Sequence, residues 1–230
     1  MIEQLKSLDN ELLLLLNGSD SCYWDSVMWI ITKTITWIPL ALVLLYVILK
    51  NCEIRRIVLI LLALTTTIVL ADQLSSSVIK PIVMRWRPTH DPTFLQTIDT
   101  VHGYTGGRFS FVSSHAANTF SLFVFLSLLL RSRLMSIFLF VWALLSSYSR
   151  IYLGVHYPGD ILCGALLGMT VGAFVYFVYH IIYLRMVGER QFYSNAYTTS
   201  GFLYVDMHLL AYTLMLTYCA VLLIAIPLSV

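Results

Sequence analysis

Six stretches of this 230-residue chain are apolar over about the length that a bilayer requires. A membrane-spanning helix needs roughly 20 mainly apolar residues. Windows of that kind cover residues 24–49, 57–79, 113–131, 134–151, 157–184 and 203–228. Only 11% of the residues are charged, against about 25% in an ordinary soluble domain. The sequence therefore predicts an all-α, polytopic membrane protein with six transmembrane helices.

The chain before the first span has a different character. Residues 1–20 mix leucines with acidic and basic residues and end in the turn-forming sequence NGSD, which predicts a short amphipathic helix lying at the membrane interface. We expect no cleavable signal peptide, because the apolar run 12–16 is short and follows acidic residues. Residues 1–230 are interpreted as one integral membrane domain. Its polar motifs span 80–160, and residues 203–228 form an additional C-terminal span.

Composition also limits the function classes. A net charge of +2 is too small to indicate nucleic-acid binding. The four cysteines lie far apart, without the spacing of a metal site, and are interpreted as apolar packing residues: Cys22, Cys52, Cys163 and Cys219. The partners expected from composition are therefore the lipid bilayer and its lipids.

The distribution of basic residues predicts the orientation of the chain. The connections after the first, third and fifth windows carry Lys50, Arg55, Arg56, Arg131, Arg133, Arg185 and Arg190. Most of the acidic residues lie in the other connections. Because Lys and Arg are enriched in cytoplasmic connections, both termini and the 81–112 connection are expected outside the cytoplasm. The predicted location is the cytoplasmic (inner) membrane, with the active site facing the periplasm or the cell exterior.

Three polar clusters fall at that outer face. KPIVMRWRP (80–88) leaves the second window, VSSHAAN (112–118) enters the third, and YSRIYLGVHYPGD (148–160) joins the fourth to the fifth. A lone Lys or Arg there would be an interface anchor, and a lone His a capping residue. Ionisable residues at membrane depth are costly and so are functional candidates. Their joint occurrence on one face favours a single site.

The clusters contain the groups that phosphoryl transfer uses. Lys80, Arg87 and Arg150 supply cations, and the two guanidinium groups match phosphate oxygens. Ser113 and Ser114 precede a helix whose first backbone N–H groups are free to bind an anion.

Two histidines and an aspartate complete the set. His115 and His156 are able to transfer protons or attack phosphorus, and Asp160 is able to orient a histidine. Together with the cations, they predict a site in which positioning and charge neutralisation do most of the catalysis.

At these residues the chain resembles the type-2 phosphatidic acid phosphatase superfamily of membrane lipid phosphatases. The family signatures are Kx6RP, PSGH and SRx5HxxxD. The first is complete at residues 80–88 and the third at 149–160, whereas the second reads VSSH at 112–115. Valine and serine thus replace the proline and glycine. The resemblance covers roughly residues 57–185.

The resemblance implies a mechanism without metal or cofactor. His156 would attack phosphorus and form a phosphohistidine, Asp160 would hold its other ring nitrogen, and His115 would protonate the leaving oxygen and then activate water. Phosphate oxygens would be held by Lys80, Arg87, Ser113, the backbone N–H of Ser114, and Arg150. The glycine-to-serine change would disturb the site only if that backbone needs a positive φ.

Other notable residues receive simpler interpretations. Arg85, Arg108, His90 and His102 are expected to belong to a solvated loop, with contact to lipid headgroups as the alternative. Asp72, two helical turns before Lys80, is expected to partner it from below. The stripe Gly164-x3-Gly168-x3-Gly172 predicts close packing of the fifth span on a neighbour.

The sequence therefore predicts an enzyme that removes a terminal phosphate from a lipid phosphate or diphosphate. Undecaprenyl diphosphate and phosphatidylglycerophosphate are the leading substrates; phosphatidic acid stays open, and a lipid A phosphate is the alternative within the class. An anionic-lipid transporter would use the cations but would not need two histidines and an aspartate. Vanadate-dependent haloperoxidases of the same superfamily are soluble, so the spans argue against that activity. The oligomeric state is left open.

Overall fold

The computed structural model describes residues 2–94, 97–187 and 195–228. Its α-helices are α1 (Ile2–Leu16), α2 (Cys22–Thr32), α3 (Ile38–Asn51), α4 (Ile54–Asp72), α5 (Lys80–Val83), α6 (Ser114–Leu130), α7 (Arg133–Tyr152), α8 (Pro158–Val187) and α9 (Tyr204–Leu228). A π-helical segment, Gln73–Ile79, joins α4 to α5, so that one long helical rod results. Among the described residues, five helical stretches are long and apolar enough to cross a membrane, and the shorter α6 is apolar too. The predicted fold class, a helical polytopic membrane protein, is confirmed.

The first predicted window, 24–49, is not one continuous helix. A break follows α2, and the apolar span begins at Thr34. Two side chains after the break, Thr36 Oγ1 and Trp37 Nε1, donate hydrogen bonds of 2.6 and 3.0 Å to the last carbonyl groups of α2. Those bonds satisfy backbone acceptors that a continuing helix would have used. Hydropathy alone carries no signal of such an end.

Helices α6 and α8 approach each other closely. Gly164, Gly168 and Gly172 of α8 face the backbone of α6, and a Cβ at Gly168 would collide with the carbonyl oxygen of Ala117. The predicted glycine stripe is therefore confirmed as a close helix contact. Because both helices start at polar clusters, this contact fixes the two clusters relative to each other.

The opposite end of the bundle is tied together by basic residues. The Arg56 guanidinium is buried and donates to Tyr179 Oη and to the carbonyl oxygen of Ser200. Lys50 forms a 2.7 Å ion pair with the buried Asp206 of α9. Two of the residues that predicted the orientation thus have structural partners. Arg190, which also contributed to that prediction, lies outside the described residues.

The N-terminal segment forms the predicted amphipathic helix, α1. Its buried residue Leu13 packs with Phe94, Ile151 and Tyr157, next to the end of α7 and the start of α8. The opposite face of α1 exposes a stripe of leucines: Leu5, Leu8, Leu12 and Leu15. This helix therefore lies at the same end of the bundle as the three polar clusters.

In the described part of the 81–112 connection, the regular structure consists of the end of helix α5 and two 3-10 turns at Pro88–His90 and Val101–Gly103. Backbone hydrogen bonds fold it back on itself, from Arg87 N to the Arg108 carbonyl and from Ser110 N to the Arg85 carbonyl. The connection also contacts the start of α8, through Arg85 with Asp160 and through Asp91 with the Tyr157 hydroxyl just before that helix.

Candidate active site

His156 lies in the turn between α7 and α8 and is almost completely buried. Its Nδ1 atom is 3.5 Å from Oδ2 of Asp160 in the first turn of α8. The same Oδ2 accepts a 3.0 Å hydrogen bond from the backbone N–H of Tyr157. The ring nitrogen Nε2 is therefore the one that faces away from the aspartate.

The environment of His156 favours its neutral form. Burial, followed by the positive charges of Arg87, Arg150 and Lys80, lowers its pKa well below the usual value. A neutral imidazole keeps a lone pair on one nitrogen, which nucleophilic attack requires.

Arg150 is fixed by two residues that sequence reasoning missed. Its Nη1 donates to Oγ1 of Thr32 at 2.7 Å, and its Nη2 donates to the hydroxyl of Tyr104 at 3.1 Å. Its Nε is buried and has no hydrogen-bond partner among the described residues. Thr32 ends α2 and Tyr104 lies in the long connection, so no local motif links either one to Arg150.

Arg87 is held by the connection that follows it. Its Nε donates to the carbonyl oxygen of Phe109 at 3.2 Å, while Nη1 is buried without a partner in the described part of the chain. Gly106, at φ +67°, passes so close that a Cβ there would collide with Nη1. Burial and the nearby Arg150 lower the pKa of Arg87 to about 10, which leaves it charged at neutral pH.

Lys80 donates to the hydroxyl of Ser114 at 2.7 Å, and Ser114 shares a 2.8 Å hydrogen bond with Ser76. The predicted pairing of Lys80 with Asp72 is wrong as a direct contact, because the Asp72 carboxylate accepts from Ser76 instead. The intervening π-helical segment changes the helical register between the two positions.

Ser113 and Ser114 form the start of α6. The Ser113 side chain caps the helix by accepting from Ala116 N, and its backbone N–H donates to the carbonyl oxygen of Asp160 at 3.1 Å. Ser114 has helical backbone dihedrals, so serine in place of glycine causes no strain there. His115 follows, and its Nε2 is buried with no partner among the residues described.

Besides His156 Nδ1, which faces Asp160 at 3.5 Å without a hydrogen bond, three buried nitrogen atoms of the site have no hydrogen-bond partner among the described residues: Arg87 Nη1, Arg150 Nε and His115 Nε2. Leaving such groups unpaired is costly, and the cost is greatest for charged ones. Each belongs to a different one of the three sequence motifs. An anion with several oxygens, such as a phosphate group, is the ligand that this set would satisfy.

The interpretation of Arg85 as a solvated loop residue is wrong. Its guanidinium is only partly exposed and contacts the carboxylates of both Asp160 and Asp9. The only sequence signal was its position inside the first motif, two residues before Arg87.

The other three residues that were interpreted as loop residues make contacts of their own. Arg108 is exposed and stacks over the Trp86 ring, and the exposed His102 packs edge-on against Trp29. His90 forms a 3.2 Å hydrogen bond with the neighbouring Thr89. The expectation of a loop role fits Arg108 and His102.

Comparison with protein families places these motifs in a known group. A family model described as the PAP2 superfamily matches residues 41–184. That range contains every residue of the three motifs.

Several curated proteins are similar over most of their length. A protein named lipid A 4′-phosphatase from Bacteroides thetaiotaomicron is 40% identical over 190 residues, covering 82% of this chain and 84% of that one. A protein of the same name from Porphyromonas gingivalis is 34% identical and covers 81% and 79%. An undecaprenyl-diphosphatase from Sulfolobus acidocaldarius is 31% identical, with coverage of 74% and 77%.

One solved structure has the same fold. The crystal structure of Aquifex aeolicus LpxE matches with a TM-score of 0.55 and 25% identity. The match covers 73% of this chain and 94% of that one.

Proposed function

This chain belongs to the PAP2 superfamily, and we propose that it is the phosphatase that removes the 4′-phosphate of lipid A. The reaction type is supported mainly by the position of His156, which lies between Asp160 and a set of cations. Buried nitrogen atoms without a hydrogen-bond partner among the described residues lie in the same site. The similarity to two proteins named lipid A 4′-phosphatase supports the choice of substrate.

In the first step, Nε2 of His156 attacks the phosphorus. Its lone pair forms the N–P bond while the P–O bond to the sugar breaks, and the leaving oxygen takes a proton from the protonated His115. The Asp160 carboxylate beside Nδ1 stabilises the positive imidazole of the phosphohistidine. Charge on the phosphate oxygens is neutralised by Lys80, Arg87 and Arg150.

In the second step, the neutral His115 takes a proton from a water molecule. The water oxygen forms a P–O bond as the N–P bond breaks, and the bonding electrons return to His156. Ser113 retains a hydroxyl proton to donate, and the first N–H groups of α6, beginning with that of Ser114, would face a phosphate bound at the helix start. No step requires a metal or cofactor.

The position of the site suits a lipid substrate. The motifs lie at helix ends on one side of the bundle, beside the exposed leucines of α1. Acyl chains are thus able to stay in the bilayer while a sugar phosphate reaches the cations. We place the protein in the inner membrane, with this end facing the periplasm or cell exterior.

A second candidate substrate is undecaprenyl diphosphate, which the similarity to an undecaprenyl-diphosphatase favours. The same cations and histidines would act on a terminal phosphate in either lipid. The two substrates differ in what lies beyond the phosphate, a disaccharide in one and a polyprenyl chain with a second phosphate in the other.

A panel of lipids distinguishes these substrates. Purified protein in detergent with a chelator is incubated with lipid A, undecaprenyl diphosphate, phosphatidylglycerophosphate and phosphatidic acid. Inorganic phosphate is measured, and product masses identify the phosphate lost. We expect preferential loss of the 4′-phosphate from lipid A. Preference for another lipid would overturn the substrate, and a requirement for added divalent metal would overturn the mechanism. Binding of every lipid without phosphate release would indicate a transporter.

A further inference from the structure

We propose that Asp9 and Arg85 are positioning residues for the His156–Asp160 pair, so that the N-terminal helix α1 belongs to the catalytic unit. The inference rests on the proposed phosphatase function. Neither residue is one that the three signatures specify: Arg85 occupies an unspecified position within Kx6RP, and Asp9 lies outside the range 41–184 that the family model matches.

Arg85 joins the two carboxylates. Its Nη1 donates to Oδ1 of Asp160 at 3.0 Å, and its Nη2 donates to Oδ2 of Asp9 at 2.7 Å. The guanidinium also lies over the Tyr157 ring, with its central carbon 3.7 Å from the ring centroid. Its backbone is held as well, because Ser110 N donates to the Arg85 carbonyl at 2.8 Å. The guanidinium therefore has a single well-defined position.

Asp9 connects α1 to the start of α8. While Oδ2 pairs with Arg85, Oδ1 accepts a 2.6 Å hydrogen bond from the backbone N–H of Gly159. A carboxylate at a helix N-terminus is favourable because it meets free N–H groups and the positive end of the helix dipole. One Asp9 side chain thus holds both Arg85 and the turn of helix that carries Asp160.

The two carboxylate oxygens of Asp160 have different partners. Oδ1 is occupied by Arg85, whereas Oδ2 faces Nδ1 of His156 and the N–H of Tyr157. The carboxylate is completely buried, so losing this donor leaves Oδ1 without its partner inside the protein. Without Arg85, the carboxylate would lose the donor that fixes Oδ1 and would be held less firmly in its alignment with His156. Small misplacements of reacting groups are known to cost large factors in rate.

The end of α1 is fixed by a second set of contacts. The Asn17 side chain donates to the carbonyl oxygens of Tyr152 and Asp99 at 2.8 and 3.0 Å, and accepts from Asp99 N at 2.9 Å. Tyr152 is the last residue of α7, directly before the turn that carries His156. The N-terminal segment therefore contacts the catalytic turn at both of its ends, through Asn17 and through Asp9.

The test compares Asp9→Asn and Arg85→Gln with two matched controls. Glu11→Gln changes an exposed acid on the same helix, and Arg108→Gln changes an exposed arginine in the same connection. Single-turnover hydrolysis is followed with full-length enzyme in saturating excess over a lipid phosphate that the wild type hydrolyses. This measurement gives a rate constant for the competent molecules and an amplitude for their yield of product.

We expect the rate constant to fall about 10-fold for Asp9→Asn and about 100-fold for Arg85→Gln, with the amplitude and the lipid affinity unchanged. The double variant should be no slower than Arg85→Gln alone, because both act through one contact chain. Asp9→Glu should recover part of the rate. The controls should stay within about twofold of wild type.

Two results would overturn the inference. One is a wild-type rate constant in both variants, and the other is a lower amplitude at an unchanged rate constant, which would mean that Asp9 and Arg85 serve folding alone. If Asp9→Asn cannot be purified folded, Asp9→Glu and Arg85→Lys give the same comparison. If the wild type releases no phosphate from any lipid phosphate, the proposed function is refuted. The inference about Asp9 and Arg85 is then refuted too, because it rests on that function.

Discussion

The ammonium nitrogen of Lys80 lies 2.7 Å from the hydroxyl oxygen of Ser114, the residue that stands where the family signature has glycine. The serine therefore supplies an acceptor for a cation of the site, and a glycine at this position would lack it. Ser76 bonds to the same hydroxyl from the π-helical segment. The departure from the signature has a structural role here.

Replacing Ser114 by glycine is expected to weaken substrate binding. Without the hydroxyl, the Lys80 ammonium loses a charge-assisted hydrogen bond of the kind worth about 1.5–3 kcal/mol and is no longer held in place. We expect KM to rise about 5-fold or more with a smaller change in kcat. Steady-state kinetics measure both, with Ser76→Ala as the control that leaves the Lys80–Ser114 contact intact. An unchanged KM would contradict this role of Ser114.

Two glycines with nearly the same backbone conformation separate strain from displacement of Arg87. Gly103 and Gly106 have φ of +65° and +67°, but only at Gly106 would a Cβ collide with the Arg87 guanidinium. We expect Gly106→Ala to lower kcat/KM about 100-fold, because a donor that neutralises the phosphate is moved. Both substitutions place a side chain at a positive φ and should lower the stability of the protein by similar amounts. Gly103→Ala should nevertheless keep its activity. Equal activity in the two variants would show that Gly106 does not position Arg87.

The lowered pKa of His156 predicts the pH dependence. Burial and the charges of Arg87 and Arg150 disfavour its protonated form, so neutral His156 persists as pH falls below about 6.5. The decrease of kcat/KM that protonation of His156 causes at low pH, the acid limb, should therefore lie below that pH. Arg87→Gln removes one of these charges, raises the pKa of His156, and should shift the limb to higher pH. Titration of the substrate phosphate is the same for every variant and does not cause a shift between them. Arg108→Gln serves as the control, and its pH profile of kcat/KM should match that of the wild type. A shift to lower pH with Arg87→Gln would contradict the account.

The orientation is testable by labelling with an impermeant thiol reagent in cells. In a variant without the native cysteines, Thr97→Cys places an exposed thiol beside the site, and Arg133→Cys places one in the hairpin between α6 and α7. We expect Thr97→Cys to react in intact cells and Arg133→Cys to react only after permeabilisation. The reverse pattern would place the site in the cytoplasm. This test matters because Lys50 and Arg56 have structural partners, which reduces their weight as topology signals.

Much of the fold was predictable from the sequence, because it depends on local composition. Helices that cross a membrane need long apolar runs, and the short connection after Leu130 forces α6 and α7 into a hairpin. The break after α2 was not predictable, since it depends on two side chains that satisfy the end of that helix. Hydropathy averages over such single contacts.

The candidate site was predictable only where its residues belong to spaced motifs. His115, His156 and Asp160 were identified by type and spacing. Thr32 and Tyr104 were not, because their link to Arg150 depends on how distant segments pack.

Arg85 and Asp9 were missed for a related reason. A charged Arg85 is what a solvated loop would contain, and a charged Asp9 is what an interfacial helix would contain. Neither charge therefore indicated a buried contact. Only the folded chain shows that both carboxylates of this network share one guanidinium.

The central claim is that Nε2 of His156 attacks the phosphorus of a lipid phosphate. It is tested most directly by phosphate release from lipid A by the wild type and by His156→Ala, both purified in detergent with a chelator and shown to share the same melting temperature. We expect the wild type to release the 4′-phosphate and release by His156→Ala to fall by about 1,000-fold or more. Release by His156→Ala within about tenfold of the wild-type rate would contradict it.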